Sequence, residues 1–407
     1  MITGRASFAI AGGFGLLLVL SAACGADPMQ APGPVGQAGT PAPAAASGGV
    51  TGSSAGTGAS AGMGASAGSS APSGSGAGGG GTGGSGNASA GSGGVAAMAS
   101  SGGAGAIAGA SGSAGGSAPA ADTIPTLYWL DINTNRVMRS RNFEDGEVIV
   151  SRTGTAPDGV AVDVAGGKLY WTNMGSLFGT GGGSLQRANL DGTGVETIIP
   201  AGTARTPKQM QVDLINRHVY FCDREGAKVW RAGMDGSQPE AIVSEHGFRE
   251  LVGIALDIPG GKFYFSDRIG RKILRANIAM PAGQTGANRT DIEELFVFGS
   301  NAMPIDLDID HEHRKLYWTD RDLGTVHRAN LDIPTGQTAM NRTDSETLVE
   351  DLVDTIGISL DVPNDKMYFS ELGGQISAAA LDGSGLKRDI LSSTSATGVA
   401  IAYIPKP

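Results

Sequence analysis

Three aspartates alternate with aliphatic residues in the segment Asp306-Leu-Asp308-Ile-Asp310. Successive side chains of a β-strand point to opposite faces, so this period of two places the three carboxylates on one face. Closely spaced carboxylates supply the oxygen ligands that Ca²⁺ prefers. Asp306 and Asp308 are therefore the candidate metal ligands of the chain. The sequence as a whole predicts no cofactor, and Ca²⁺ at these two residues is the alternative.

Cys24 is the second residue with a chemical role to consider. It follows Arg5, an apolar run at residues 14–20 and three small residues, a pattern typical of secretion and too short for a membrane span. The segment Leu-Ser-Ala-Ala-Cys resembles the lipobox of bacterial lipoproteins, with Ser21 where that family usually has a branched apolar residue. We interpret residues 1–23 as a signal peptide and Cys24 as a lipidation site, which anchors a protein without a spanning helix. Release after cleavage near Ala26 is the alternative.

Residues 24–121 consist almost entirely of Gly, Ala, Ser, Thr and Pro, and Asp27 is their one charged residue. Such a segment buries too little apolar surface to offset its ordering entropy, so we expect a disordered linker. A flexible coil of this length has a root-mean-square span of roughly 50–60 Å. The linker would therefore hold the remainder of the chain clear of a membrane surface.

All but one of the 39 acidic and all but one of the 29 basic residues lie between residues 122 and 407. Nucleic-acid binding needs a basic face that neutralises phosphates, and this region is net acidic. The composition thus argues against a nucleic-acid partner. The sequence also has no dinucleotide fingerprint in a strand–helix context, which argues against a dehydrogenase.

A four-residue signature, Tyr-aromatic-x-Asp, recurs six times in this region. Its copies begin at Tyr128, Tyr170, Tyr220, Tyr264, Tyr317 and Tyr368, and Asn173 and Glu371 replace the Asp in two of them. Five copies have an Asp seven residues before the tyrosine, and four have an Arg eleven residues after it. A period of 42 to 53 residues is typical of a β-propeller in which each repeat is one blade.

Each repeat divides into four short strands separated by Gly- and Asp-rich turns. The first repeat lacks its first strand, whereas the chain finishes with Thr397-Gly-Val-Ala-Ile-Ala402, which matches the first strand of the second repeat, Gly159-Val-Ala-Val-Asp163. We therefore expect an all-β fold over residues 122–407. It is a six-bladed β-propeller of four-stranded blades whose carboxyl-terminal strand closes the ring.

These residues resemble the YWTD repeat, the class B repeat of low-density lipoprotein receptors, and among such chains those of bacterial lipoproteins. The resemblance implies that the signature residues are architectural and that one face of the propeller binds a ligand. Residues at that face would come from the starts of first strands and the ends of second strands. The candidate binding residues are Asn173, Lys208, Gln209, Arg224, Glu225, Arg268, Arg321, Asp322 and Glu371.

Two similar insertions, residues 281–291 and 334–344, follow the third strands of the fourth and fifth repeats. They could brace each other or bind a partner. Taken together, the sequence favours a non-catalytic, monomeric binding module. It would be tethered by lipid in the bacterial cell envelope, at the outer membrane, and would recognise a protein or other extracytoplasmic ligand. The alternative is a metal-dependent hydrolase or lactonase with its site in the central channel.

Overall fold

The structure, a computed structural model, describes residues 122–176 and 181–406. In these residues 24 β-strands form six four-stranded antiparallel sheets, as predicted. The predicted signal peptide, the lipidation site Cys24 and the linker 24–121 lie outside the described residues. Within the described part of the chain, no helix is long and apolar enough to cross a membrane.

The strands are numbered in chain order and grouped here by blade. The first blade contains β1 (Thr123–Asp131), β2 (Arg136–Arg141), β3 (Glu147–Val150) and β24 (Ala396–Pro405). The second contains β4 (Pro157–Asp163), β5 (Lys168–Asn173), β6 (Ser184–Asn189) and β7 (Glu196–Ile199), and the third β8 (Pro207–Asp213), β9 (His218–Asp223), β10 (Lys228–Gly233) and β11 (Glu240–Val243).

The fourth blade contains β12 (Leu251–Asp257), β13 (Lys262–Asp267), β14 (Lys272–Asn277) and β15 (Glu293–Val297). The fifth contains β16 (Pro304–Asp310), β17 (Lys315–Asp320), β18 (Thr325–Asn330) and β19 (Glu346–Val349). The sixth contains β20 (Thr355–Asp361), a short 3-10 helix (Val362–Asn364), β21 (Lys366–Glu371), β22 (Gln375–Ala379) and β23 (Lys387–Ser392).

The six inner strands, β24, β4, β8, β12, β16 and β20, contact one another in sequence around the axis. All seven residues of β4, β8, β12, β16 and β20 are buried, and so are the first seven of β24. We call the side of the ring with the loops that lead into the inner strands the upper face. The inner strands therefore surround the axis.

The third signature residue connects neighbouring inner strands. In the second blade the register between β4 and β5 shifts after Pro157, and the Thr172 hydroxyl accepts a hydrogen bond from Gly159 N–H at this irregularity (2.8 Å). The same hydroxyl donates to the Lys208 carbonyl of the third blade (2.7 Å). Ser266, Thr319 and Ser370 do the same in the fourth, fifth and sixth blades. One hydroxyl thus satisfies a backbone donor in its own blade and an acceptor in the next.

The repeated arginines also connect blades. Arg139 donates to the Leu190 carbonyl of the next blade (3.0 Å), and Arg187 donates to Met234 in the same way (2.9 Å). Arg231, Arg275 and Arg328 repeat the contact around the ring. These five arginines each connect one blade to the next, from the first blade to the sixth.

The seam between the sixth and first blades has no such arginine, because Ala378 pairs with Tyr368 there. Instead, the Tyr403 hydroxyl at the end of β24 donates to Asp361 Oδ2 (2.5 Å) and accepts from Asn364 Nδ2 (2.5 Å). Phe143 stacks on Tyr368 with ring centroids 5.2 Å apart. The closing strand therefore makes its own set of contacts with the sixth blade.

The substitution Tyr403→Phe should lower the free energy of unfolding by about 1–2 kcal/mol, because it leaves the Asp361 carboxylate without its hydroxyl donor. Urea unfolding of the purified protein measures this loss. Tyr368→Phe is the matched control, since burial and the charge of Asp361, and no hydrogen bond, raise the pKa of the Tyr368 hydroxyl. Equal stability of the two variants would contradict a closing role for Tyr403.

Candidate functional site

Asp306 and Asp308, the predicted metal ligands, lie in the inner strand β16 and are buried. Asp306 accepts hydrogen bonds from its own Leu307 N–H (2.9 Å) and from Ile358 N–H of the sixth blade (3.1 Å). Asp308 accepts from Ile309 N–H (2.8 Å) and from Leu360 N–H (2.9 Å). Every oxygen of the two carboxylates therefore has a backbone partner, and together they join β16 to β20.

Burial raises the pKa of Asp306 well above its usual range and that of Asp308 to about 6, against the opposing effect of the backbone N–H donors. A metal ion would require both groups in the ionised form. Among residues 122–176 and 181–406, no group of three or more His, Cys, Asp and Glu is arranged to hold a metal ion. The geometry assigns the two aspartates a connecting role, and Ca²⁺ binding here stays a prediction.

The three predicted binding arginines, Arg224, Arg268 and Arg321, lie at the upper face directly after the signature Asp of their blades. Each is buried. Arg224 pairs with Glu225, Arg268 with Glu250, and Arg321 Nε with Asp354 Oδ1 (2.8 Å). These ion pairs connect the buried guanidinium groups to acidic residues of the upper-face loops.

Apolar residues occupy the equivalent positions of the other three blades, namely Ile132, Met174 and Leu372. They form one buried cluster with residues at the starts of inner strands, Ala156, Val252, Ile305 and Ile356. The upper end of the axis is thus half arginine and half aliphatic.

Lys208 and Gln209 start the inner strand β8 and converge on Asp158 of the second blade. Lys208 Nζ is 2.5 Å from Asp158 Oδ2, and Gln209 Nε2 is 3.2 Å from Asp158 Oδ1. Asn173 donates to Ser184 and Gln186 within its own blade. The side chains of Asp158, Asn173, Lys208 and Gln209 are all buried.

The last three predicted binding residues differ in exposure. Glu371 is buried and accepts a hydrogen bond from Val353 N–H (2.6 Å), and burial raises its pKa. Glu225 is partly buried and Asp322 is exposed. Seven of the nine candidates are therefore buried, and a partner could touch Glu225 and Asp322 directly.

Further exposed residues of the upper face lie in the loops that lead into the inner strands. One residue in each of these loops lies two positions before the first residue of the inner strand. The sequence did not point to this position. These residues are Thr155, Arg205, Arg249, Val353 and Thr394, all exposed, and Ala302, which is buried. The backbone N–H groups of Arg205, Arg249, Val353 and Thr394 donate to the fourth signature residue of the same blade. The signature carboxylate therefore fixes the backbone of a residue whose side chain faces solvent.

The insertions 281–291 and 334–344 lie on the opposite face, and each braces the blade before it. Arg289 donates to the Ile242 carbonyl of β11 (2.8 Å) and lies over Phe263 (5.2 Å). Arg342 donates to the Leu295 carbonyl of β15 (3.2 Å) and lies over Phe296 (4.0 Å). Each insertion thus packs on its neighbouring blade, while the tip residue Met340 is exposed.

A polar cavity of about 440 Å³ opens between the second and third blades, at the same end as the insertions. Arg187, Arg217 and Arg231 line it together with Asp235 and Glu240. Arg187 pairs with Glu196, Arg217 with Asp163, and Arg231 with Glu240. The charges around the cavity are therefore balanced within the protein.

No family model matches the chain. It is, however, 34% identical over 297 residues to a protein of Pyricularia oryzae called low-density lipoprotein receptor-related protein 1, and the match covers 67% of this chain and 95% of that relative. The chain belongs to this YWTD β-propeller family.

Two further comparisons identify proteins that are similar to this YWTD propeller. It is 32% identical over 286 residues to the 3-hydroxyacyl-CoA dehydrogenase-like protein LAM1 of Cochliobolus heterostrophus. That match covers 63% of the chain but 59% of the relative, so the propeller spans somewhat more than half of that protein's length. The crystal structure of a nidogen/laminin complex contains a chain with the same fold, with a TM-score of 0.56, 20% identity, and coverage of 68% of this chain and 98% of that one.

The single cysteine in the described part of this YWTD propeller has a structural role. Cys222 holds the third signature position of the third blade, is fully buried, and contacts the Gly253 carbonyl through its sulfur (3.2 Å). Burial raises the pKa of the thiol well above its usual value. The sulfur thus lies where four of the other blades have the connecting hydroxyl.

The substitution Asp308→Asn should change how stability depends on pH. The folded-state pKa of Asp308 is about 6 against an ordinary 3.8, so between these values the folded protein binds more protons than the unfolded chain. Stability therefore falls as the pH rises through this window. Between about pH 4 and pH 7, the free energy of unfolding of the native protein should fall by about 2–3 kcal/mol relative to that of the variant, as measured by urea unfolding. Asp322→Asn, at an exposed carboxylate, is the control. Parallel pH curves for native protein and Asp308→Asn would contradict the assignment.

Proposed function

We propose that this YWTD propeller is a non-catalytic, monomeric binding module of the bacterial cell envelope. It is anchored at the outer membrane by lipid on Cys24 and recognises a protein or other extracytoplasmic ligand on its upper face. The observation that carries this proposal is the burial of the inner strands, since every residue of β4, β8, β12, β16 and β20 and the first seven residues of β24 are buried. A channel-sited hydrolase needs side chains that a substrate can reach at the axis, whereas a face-binding module does not.

The upper-face loops support the same proposal, because their backbones are fixed while their side chains face solvent. Arg205 N–H donates to Asp223 Oδ2 (3.0 Å) and Arg249 N–H donates to Asp267 Oδ2 (3.0 Å). Exposed side chains on a rigid scaffold are the usual location of binding function. Such preorganisation reduces the entropy lost when a partner binds.

The fold relative in the nidogen/laminin complex is consistent with protein recognition by this type of propeller. In the present chain, the residues of the upper-face loops differ from blade to blade. Thr155, Arg205 and Val353, for example, occupy one equivalent position. A partner that meets six different loops can be recognised specifically even though the blades beneath are alike.

Masking the upper face should block capture of an envelope partner. Arg249→Cys introduces an exposed thiol on the upper face, and Lys366→Cys introduces one on the opposite face. Both changes are made in a Cys24→Ala background, and the buried Cys222 should not react. After coupling to maleimide-polyethylene glycol, the Arg249→Cys protein should lose capture from envelope extract and the Lys366→Cys protein should keep it. Equal capture by the two conjugates would overturn the assignment of the binding face.

The anchor is tested separately through Cys24→Ser. With lipid on Cys24, the native protein should sediment with outer membranes and incorporate labelled palmitate when expressed in a bacterial host. The variant should lose the label because serine has no thiol to acylate. Unlabelled native protein in the soluble fraction would favour the secreted form.

A further inference from the structure

The upper face carries two exposed aliphatic side chains at the seam between the fifth and sixth blades. Val353 is 66% exposed and Leu323 is 47% exposed. Val353 holds the position occupied by Thr, Arg or Ala in the other blades, and Leu323 holds the one occupied by Gly226 and Gly270 in the third and fourth blades. Exposed aliphatic groups that lie together on a polar surface typically mark a contact site.

The segments that carry these side chains touch each other. Leu352 N–H donates to the Gly324 carbonyl (2.9 Å), so the loop before β20 lies against the turn after β17. Leu323 directly precedes Gly324, and Val353 directly follows Leu352. We call Leu323 and Val353 the aliphatic pair.

The backbone around the aliphatic pair is held by buried groups. Val353 N–H donates to Glu371 (2.6 Å), and Leu323 N–H donates to Asp320 Oδ1 (3.1 Å). Arg321 ties the adjoining Asp354 to the turn (2.8 Å). The aliphatic pair is therefore displayed on fixed backbone, which lowers the entropic cost of binding.

Acidic residues adjoin the aliphatic pair along the chain. They are Asp322, Glu350 and Asp351, which are exposed, and Asp354, whose side chain is 40% exposed. The nearby cations are the buried Arg321, paired with Asp354, and the exposed Arg388, which donates to the carbonyls of Glu350 and Asp351. Four carboxylates thus face two cations, and the rim of the pair is net negative.

An apolar centre with a negative rim is complementary to a positively charged partner that carries an apolar side chain. We propose that the aliphatic pair and its acidic rim bind a basic polypeptide segment, with an aliphatic side chain of the partner between Leu323 and Val353. Lysine or arginine side chains on either side of that residue meet Asp322, Asp351 and Asp354. This inference rests on the proposed binding function and names the chemistry of its partner.

Synthetic peptides test the proposal directly. The probe is a fluorescein-labelled peptide with one leucine between two pairs of lysines, compared with a peptide in which serine replaces the leucine and one in which glutamates replace the lysines. Fluorescence anisotropy with the purified protein should show the leucine–lysine peptide binding roughly tenfold more tightly than the serine peptide. The glutamate peptide should not bind, and added salt should weaken the binding of the lysine peptide.

Matched variants locate the site. Val353→Ser and Leu323→Ser should each weaken the leucine–lysine peptide roughly tenfold. Val148→Ser, at an aliphatic residue 42% exposed on β3, should have no effect. Asp351→Asn should also weaken binding, whereas Glu312→Gln, an exposed acidic residue of the opposite face, should not. Circular dichroism and the melting temperature check that each variant is folded.

Equal binding of the leucine and serine peptides would overturn the proposal, and so would equal effects of Val353→Ser and Val148→Ser. These results are separable from those of the masking experiment. If polyethylene glycol at the Arg249→Cys position blocks capture but the peptide fails to bind, the proposed function stands and this partner chemistry is wrong. If the peptide binds at the aliphatic pair but masking has no effect on capture, the wider assignment of the binding face is wrong.

Discussion

Each blade presents one edge of its inner strand to the axis, where no further strand is available to pair with it. Backbone groups at a buried edge need partners, because an unsatisfied donor or acceptor in the interior is costly. The hydroxyls of Thr172, Ser266, Thr319 and Ser370 meet this need by joining an N–H of one blade to a carbonyl of the next. The first blade has Leu130 at this position, and there the Thr397 hydroxyl of β24 donates to the Pro157 carbonyl instead (3.0 Å). A backbone carbonyl of the neighbouring blade therefore has a hydroxyl donor even where the signature hydroxyl is missing.

The same requirement explains the buried aspartates of the fifth blade. Glycine at the third position of the inner strand lets neighbouring inner strands approach closely. At Gly253, for example, an added Cβ would lie 1.9 Å from the Ile305 carbonyl oxygen. Asp306 occupies this position in β16, and its carboxylate lies between β16 and β20 and accepts an N–H from each. A pair of carboxylates that resembles a metal site in sequence therefore acts as a substitute for backbone pairing.

The sequence predicted the ring and its closing strand, because these follow from a repeat with fixed spacing. It did not predict that Arg224, Arg268 and Arg321 are buried. Strand alternation gives the face of a residue but not the loops that cover it, and here Glu225, Glu250 and Asp354 pair with the guanidinium groups. The position two residues before the inner strand, which is exposed in five of the six blades, was missed for a related reason. Its identity varies from Thr to Arg to Val, so no repeated letter marks it.

That variable position shows how a uniform scaffold can carry a specific surface. At Arg205, Arg249 and Val353 the backbone N–H is bound by a signature carboxylate, so the fold depends on the main chain and not on the side chain. A change from Arg to Val at this position alters the charge and shape of the upper face while the hydrogen bond that fixes the loop is preserved. The ring therefore separates stability from recognition. The signature residues maintain the contacts between blades, and five exposed loop positions are left free to differ with the partner.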